Sequence, residues 1–249
     1  MPGLIDVAFA VVLLVAASLF EHYYFWPRFR ADIASGRTGA RVSGYLRGIV
    51  GQWLFGAGAL AIWITMDRPW SALRLTLPAW WGFGFALAAA GLLALQLWSV
   101  LRLPQERREA ARPKLGAVSF LLPHTAREYG WFVALSVTAG FCEELLYRGY
   151  LVWFFTPWLG PIGAMLFVVA AFGVGHLYQG RRGAIKATLA GVVMAAIVLI
   201  TNSLIPAMIA HALIDVGGGT IGYLLLRDRQ PTSLPAPART PRSTRTTAP

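Results

Sequence analysis

The sequence predicts an all-α fold, a polytopic bundle of about seven transmembrane helices with the N-terminus outside and the C-terminus in the cytoplasm. Three observations carry that expectation. Of 249 residues, 57% are hydrophobic and only 13% charged, where a soluble domain carries roughly a quarter charged residues. Seven apolar segments approach the roughly 20 residues that a spanning helix needs. The basic residues fall in alternate connections between those segments, as the positive-inside rule requires.

The first segment, Leu4–Trp26, has no basic region ahead of it and no small-residue cleavage site, so it reads as a retained span. The next two are Tyr45–Met66 and Trp80–Leu101. Tyr129–Phe155 is too long for one straight crossing and is expected to bend or end early. Leu159–Tyr178, Ala184–Ile200 and Leu204–Leu226 complete the set. Connections one, three and five hold clustered Arg and Lys, with a net charge of +3 each. Connection two nets +1, and connections four and six hold no charge. In connection three, Thr125 and Glu128 stand at capping-box spacing and predict the start of the fourth helix.

The net charge of +11 does not point to nucleic acid, because the basic residues lie between apolar runs and no recognisable binding module is present. The single cysteine, Cys142, permits no intrachain disulfide and reads as a small buried residue rather than a nucleophile. The Pro-, Ser-, Thr- and Arg-rich tail, 227–249, has little to bury and reads as disordered. The chain therefore divides into a three-span N-terminal region (1–122), a helix bundle (123–226) and the tail. No internal repeat suggests a transporter of inverted halves.

Ionisable side chains inside spans are costly and mark sites by default. Glu21, His22 and Arg47 stand near span ends and are expected to reach the interface. Glu143, Glu144, Arg148, His176, His211 and Asp215 have no such exit. Glu144 and Arg148 are i and i+4 in the favourable order, so Arg148 is expected to neutralise Glu144. Glu143 is turned about 100° from Glu144 by the helical period and has no partner on its own helix, which makes it the candidate general base. Phe172 with His176, and His211 with Asp215, also share helix faces. The expectation is that spans four, five and seven bring these groups around a shared pocket of water.

The motifs "EELLYR" (143–148), "FGVGH" (172–176) and "HALID" (211–215), in this order, resemble the CPBP family: CAAX prenyl endopeptidases of the Rce1 type and their bacterial relatives. The resemblance extends over roughly Pro123–Leu226. It implies an intramembrane endopeptidase of glutamic type, acting on a membrane-associated peptide or protein substrate in the lipid bilayer of a cell. In that reading Glu143 activates water, His176 helps to hold it, and His211 and Asp215 position the substrate carbonyl or stabilise the oxyanion. Glu144, Arg148 and Phe172 support the site.

The eukaryotic prenyl endopeptidases resemble one another in having Asn where this chain has Asp215. An ionised Asp would repel an oxyanion, so Asp215 is either protonated or orients His211. No cofactor is expected. Glu143, His176 and His211 could form a three-ligand zinc site, but no H-E-x-x-H is present and the ligands would come from three helices. Two other functions compete: a non-catalytic immunity or assembly factor of the same family, and a proton or ion carrier. Twenty Arg against two Lys fits a GC-rich bacterium, and hence a bacterial plasma membrane.

Overall fold

The computed structural model describes residues 1–227, and these contain helices and no strand. The expected disordered tail lies beyond Arg227, outside the described residues. Four helical stretches precede the motif region: α1 Leu4–Ala34, α2 Ala40–Thr65, α3 Trp80–Leu101 and the short α4 Gln105–Ala111. Then come α5 Ala126–Glu143, which continues as a π-helical stretch Glu144–Leu151, α6 Val152–Gly175, α7 Gly180–Thr201 and α8 Ile205–Leu226.

Five stretches are long and apolar enough to cross a membrane, and one of them, Ala126–Thr201, is 76 residues long. As a single rod it would reach roughly 110 Å, against a hydrocarbon core of about 30 Å. It folds back instead. Gly160 (φ 67°) and Gly180 (φ 79°) leave the helical region, in a left-handed range that only glycine enters without strain. Each break is also where the apolar pattern pauses. The expected bend in the fourth segment takes the form of the π stretch, followed by the reversal at Gly160.

α5 starts where the capping box predicts. The Thr125 side chain accepts from the Glu128 amide at 3.2 Å, and Glu128 Oε2 accepts from the Thr125 amide at 3.1 Å. α5 packs between α2 and α8. At Gly140 a methyl group would come within 2.8 Å of the Ala212 backbone, so only glycine allows α5 and α8 to approach this closely. α3 covers α8 from outside, and its Leu87, Leu92 and Leu95 remain exposed, as a lipid-facing helix requires.

The connections gather at two ends. At one, Arg41 Nε reaches the Phe120 carbonyl at 3.2 Å, the Arg30 guanidinium the Tyr178 carbonyl, and Arg112 Nε the Leu225 carbonyl at 2.7 Å. Connections one, three and five and the end of α8 therefore share the basic end. Arg47 reaches Asp32 there at 3.5 Å, as its expected excursion to the interface requires. At the other end the Leu204 amide donates to the Arg74 carbonyl, and Ser203 Oγ donates to the Thr76 carbonyl. Asp6, fully buried, takes both Arg68 amino groups at 2.7 and 2.8 Å and the Tyr150 hydroxyl at 2.6 Å. This clamp ties α1 to the second connection and to the motif-bearing helix.

Candidate active site

The three motifs lie on separate helices and meet at His211. Its Nδ1 is 2.8 Å from Glu144 Oε1. Because the carboxylate accepts, Nδ1 carries the proton and donates. The opposite nitrogen, Nε2, faces Glu143 Oε2 at 3.9 Å and Asp215 Oδ2 at 3.7 Å. The expected pairing of Glu144 with Arg148 is present: Nη1 donates to Oε1 at 2.9 Å, and both side chains are fully buried. The two residues stand in the π stretch, whose extra residue per turn is a common distortion at functional sites.

His176 takes a different anchor. Its Nδ1 is 2.8 Å from the Phe172 carbonyl. A carbonyl can only accept, so Nδ1 holds the hydrogen, and in the neutral ring Nε2 is left as an acceptor. Phe172 links the two imidazoles. Its ring lies 4.3 Å from that of His176 and 6.2 Å, edge-on, from that of His211. The Arg148 guanidinium stacks on Phe172 at 4.3 Å, a cation–π contact that holds the charge over the ring. Phe172 therefore organises the site from its centre.

The structure refines two expectations. The hydrogen bond that orients His211 comes from Glu144, not from Asp215, whose carboxylate lies beyond hydrogen-bond reach of the ring. The first helix does not end at Trp26. α1 runs on to Ala34, so Glu21 stands within the helix rather than at its end, and it is exposed. The apolar pattern faded at Trp26 because the last two turns of α1 are amphipathic, and the helix outlasts its apolar run. His22 is exposed, with its ring against Tyr23.

Sequence reasoning passed over Gln52 of α2. Its Nε2 donates to Glu143 Oε1 at 2.9 Å. Cys142, beside Glu143, is buried against Gly56 of the same helix and matches the packing role expected of it. Asp215 is the open member of the cluster, with 41% of its side chain exposed against 18% for Glu143 and 11% for His211. The groups are packed against one another and open on the Asp215 side. Two cavities, about 360 and 350 Å³, are lined by other residues, apart from Arg148, which lines the second.

Among the described residues no three His, Cys, Asp or Glu side chains are arranged to hold one ion. His211 Nδ1 is committed to Glu144 and His176 Nδ1 to a carbonyl, which leaves Nε2 as the nitrogen of each ring without a hydrogen bond.

Residues 125–217 match a family model described as Type II CAAX prenyl endopeptidase Rce1-like, over less than half of the chain. The match runs from the cap of α5 to α8 and includes all seven motif residues. Glu21 and Gln52 lie outside it. No curated protein and no solved structure matches the chain.

Proposed function

We propose, for a chain whose residues 125–217 match a Type II CAAX prenyl endopeptidase Rce1-like family model, a glutamic mechanism of peptide hydrolysis within the membrane. The observation that carries it is the facing of Glu143 Oε2 and His211 Nε2 at 3.9 Å, with the imidazole held from behind by Glu144. A carboxylate and an oriented nitrogen donor, side by side, are what attack on a carbonyl by water needs.

Glu143 takes a proton from water, and the water oxygen bonds to the scissile carbonyl carbon. The carbonyl electrons move onto oxygen, and His211, as an imidazolium with its Nδ1–H on Glu144, stabilises that oxyanion through Nε2–H. Glu143 then returns its proton to the amide nitrogen as the C–N bond breaks. The products are a carboxylic acid and an amine, and Glu143 is restored. The free Nε2 of His176 is the acceptor that helps to hold the water. Asp215, on the open side, keeps His211 electrostatically aligned. The basic end faces the cytoplasm of a bacterial plasma membrane, and a membrane-associated protein substrate enters from that side.

The test uses the full chain in liposomes with a quenched fluorescent CAAX peptide, farnesylated or unmodified. Glu143→Gln should cut turnover by roughly a hundred- to ten-thousandfold while the unfolding midpoint in detergent stays unchanged. Turnover near that of the parent would remove Glu143 as the base. Treatment with a chelator should leave the parent's turnover unchanged; loss on chelation with recovery on added zinc would replace this mechanism by a metal-assisted one. The substrate itself is found by comparing cleaved termini across the proteome between cells carrying the parent and the Glu143→Gln variant.

A further inference from the structure

The residues of the proposed mechanism all lie inside the matched segment, yet Glu143 makes its hydrogen bond outside it. Its Oε1 accepts from Gln52 Nε2 at 2.9 Å. Within its own helix Glu143 has no side-chain partner, and the cation that serves the neighbouring Glu144, Arg148, is committed there. Gln52 comes from α2, 91 residues away in sequence.

The local sequence explains how α2 delivers this amide. Gly48 and Gly56 flank Gln52 by four residues on either side, so all three lie on one face of the helix. That face lies against α5. At Gly48 a methyl group would touch Leu135 at 3.3 Å, and at Gly56 it would touch Cys142 Sγ at 3.2 Å. A Cβ at either glycine would require its neighbour to give by a few tenths of an ångström, so glycine suits the close approach across which the Gln52 amide reaches Glu143. Trp53 and Phe141, stacked at 5.3 Å, further fix the register of the two helices. A spacing of small residues that brings one polar side chain across a helix pair is a known packing device inside membranes. Here the group it meets is the candidate base.

We propose that Gln52 is a positioning residue for hydrolysis: its amide holds Oε1 of Glu143 so that Oε2, facing His211, is the oxygen that accepts the proton from water. A carboxylate free to rotate would share the task between two oxygens and two rotamers. One tied at Oε1 presents a single oxygen to the reacting atoms, and pre-organisation of this kind lowers the barrier without strengthening substrate binding. Glu143 Oε2 is buried and makes no hydrogen bond among the protein's own groups, which leaves it available for that role. The N-terminal region, outside the family match, thereby completes the site. This inference rests on Glu143 as the base.

The experiment compares Gln52→Met, which keeps the length and volume of the side chain and lacks the amide, with Glu143→Gln and the double variant. All are full-length and in liposomes. The infrared carboxylate band of Glu143, isolated by subtracting the Glu143→Gln spectrum from isotope-edited protein, should move in Gln52→Met. On a farnesylated CAAX peptide, kcat should fall roughly ten- to hundredfold, the loss expected for a hydrogen bond to a charged group. KM should stay within about twofold, and the double variant should lose nothing beyond Glu143→Gln. Should Met at position 52 disturb folding, Gln52→Asn withdraws the amide by one methylene, and the same band should move.

An unmoved band, or parental kcat in a folded Gln52→Met protein, would overturn the inference. Parental kcat in Glu143→Gln is a separate failure: it removes the base, while the infrared comparison, which needs no substrate, still decides the bond.

Discussion

Glu144 shows at the level of one residue how a buried charge is kept. It is fully buried, and its Oε1 accepts from both Arg148 and His211. Removing either partner leaves a carboxylate in low dielectric with part of its compensation gone. Arg148→Met should therefore destabilise the protein by about 3–5 kcal/mol, the usual result of breaking a buried pair from one side. Arg148→Met combined with Glu144→Gln should recover much of that loss, because no isolated charge then remains. Thermal unfolding in detergent checks both, and equal losses for the single and double variants would show that Arg148 acts through packing on Phe172 instead. The pair was legible from i, i+4 spacing alone. The third partner, His211, was not, because it comes from 67 residues further on.

At the level of the element, two short signals govern the helix that carries the base. The capping box at Thr125 and Glu128 sets its start. Thr125→Ala should cost about 1 kcal/mol, read as a lower unfolding midpoint with turnover per folded molecule unchanged. Gly140 sets its distance from α8. Gly140→Val would drive a side chain into the Met208 carbonyl and the Ala212 backbone, and so separate the helix of Glu143 from the helix of His211. The expected result is a folded or partly folded protein in which turnover falls much further than stability, since a displacement of about 1 Å can cost a hundredfold. The capping box could be read in advance because it is local. The glycine contact could not, since a glycine in an apolar run carries no label naming the helix it will meet.

Across the whole molecule, the contacts sort the connections into a basic end and a charge-poor end, the alternation that the charges of the loops imply. The assignment of the basic end to the cytoplasm can be checked by single cysteines in a Cys142→Ala background. Ser35 and Gln179, replaced by cysteine, should be labelled by an impermeant thiol reagent only after the cytoplasmic face is opened, and Ser71 from outside. The reverse pattern would invert the protein. The clamp of Asp6, Arg68 and Tyr150 at the charge-poor end secures α1 to the motif-bearing helix.

The all-α class, the apolar segments and the three motifs follow from the sequence alone, because each depends on a local quantity: hydropathy over a span of about 20 residues, charge between spans, or spacing within two turns of one helix. The tertiary structure alone decided that His211 donates to Glu144, that α1 runs on to Ala34, and that Gln52 donates to Glu143. The two hydrogen bonds are relations between helices, and they depend on the distance, register and rotation at which the helices pack. No periodicity within a single segment encodes these.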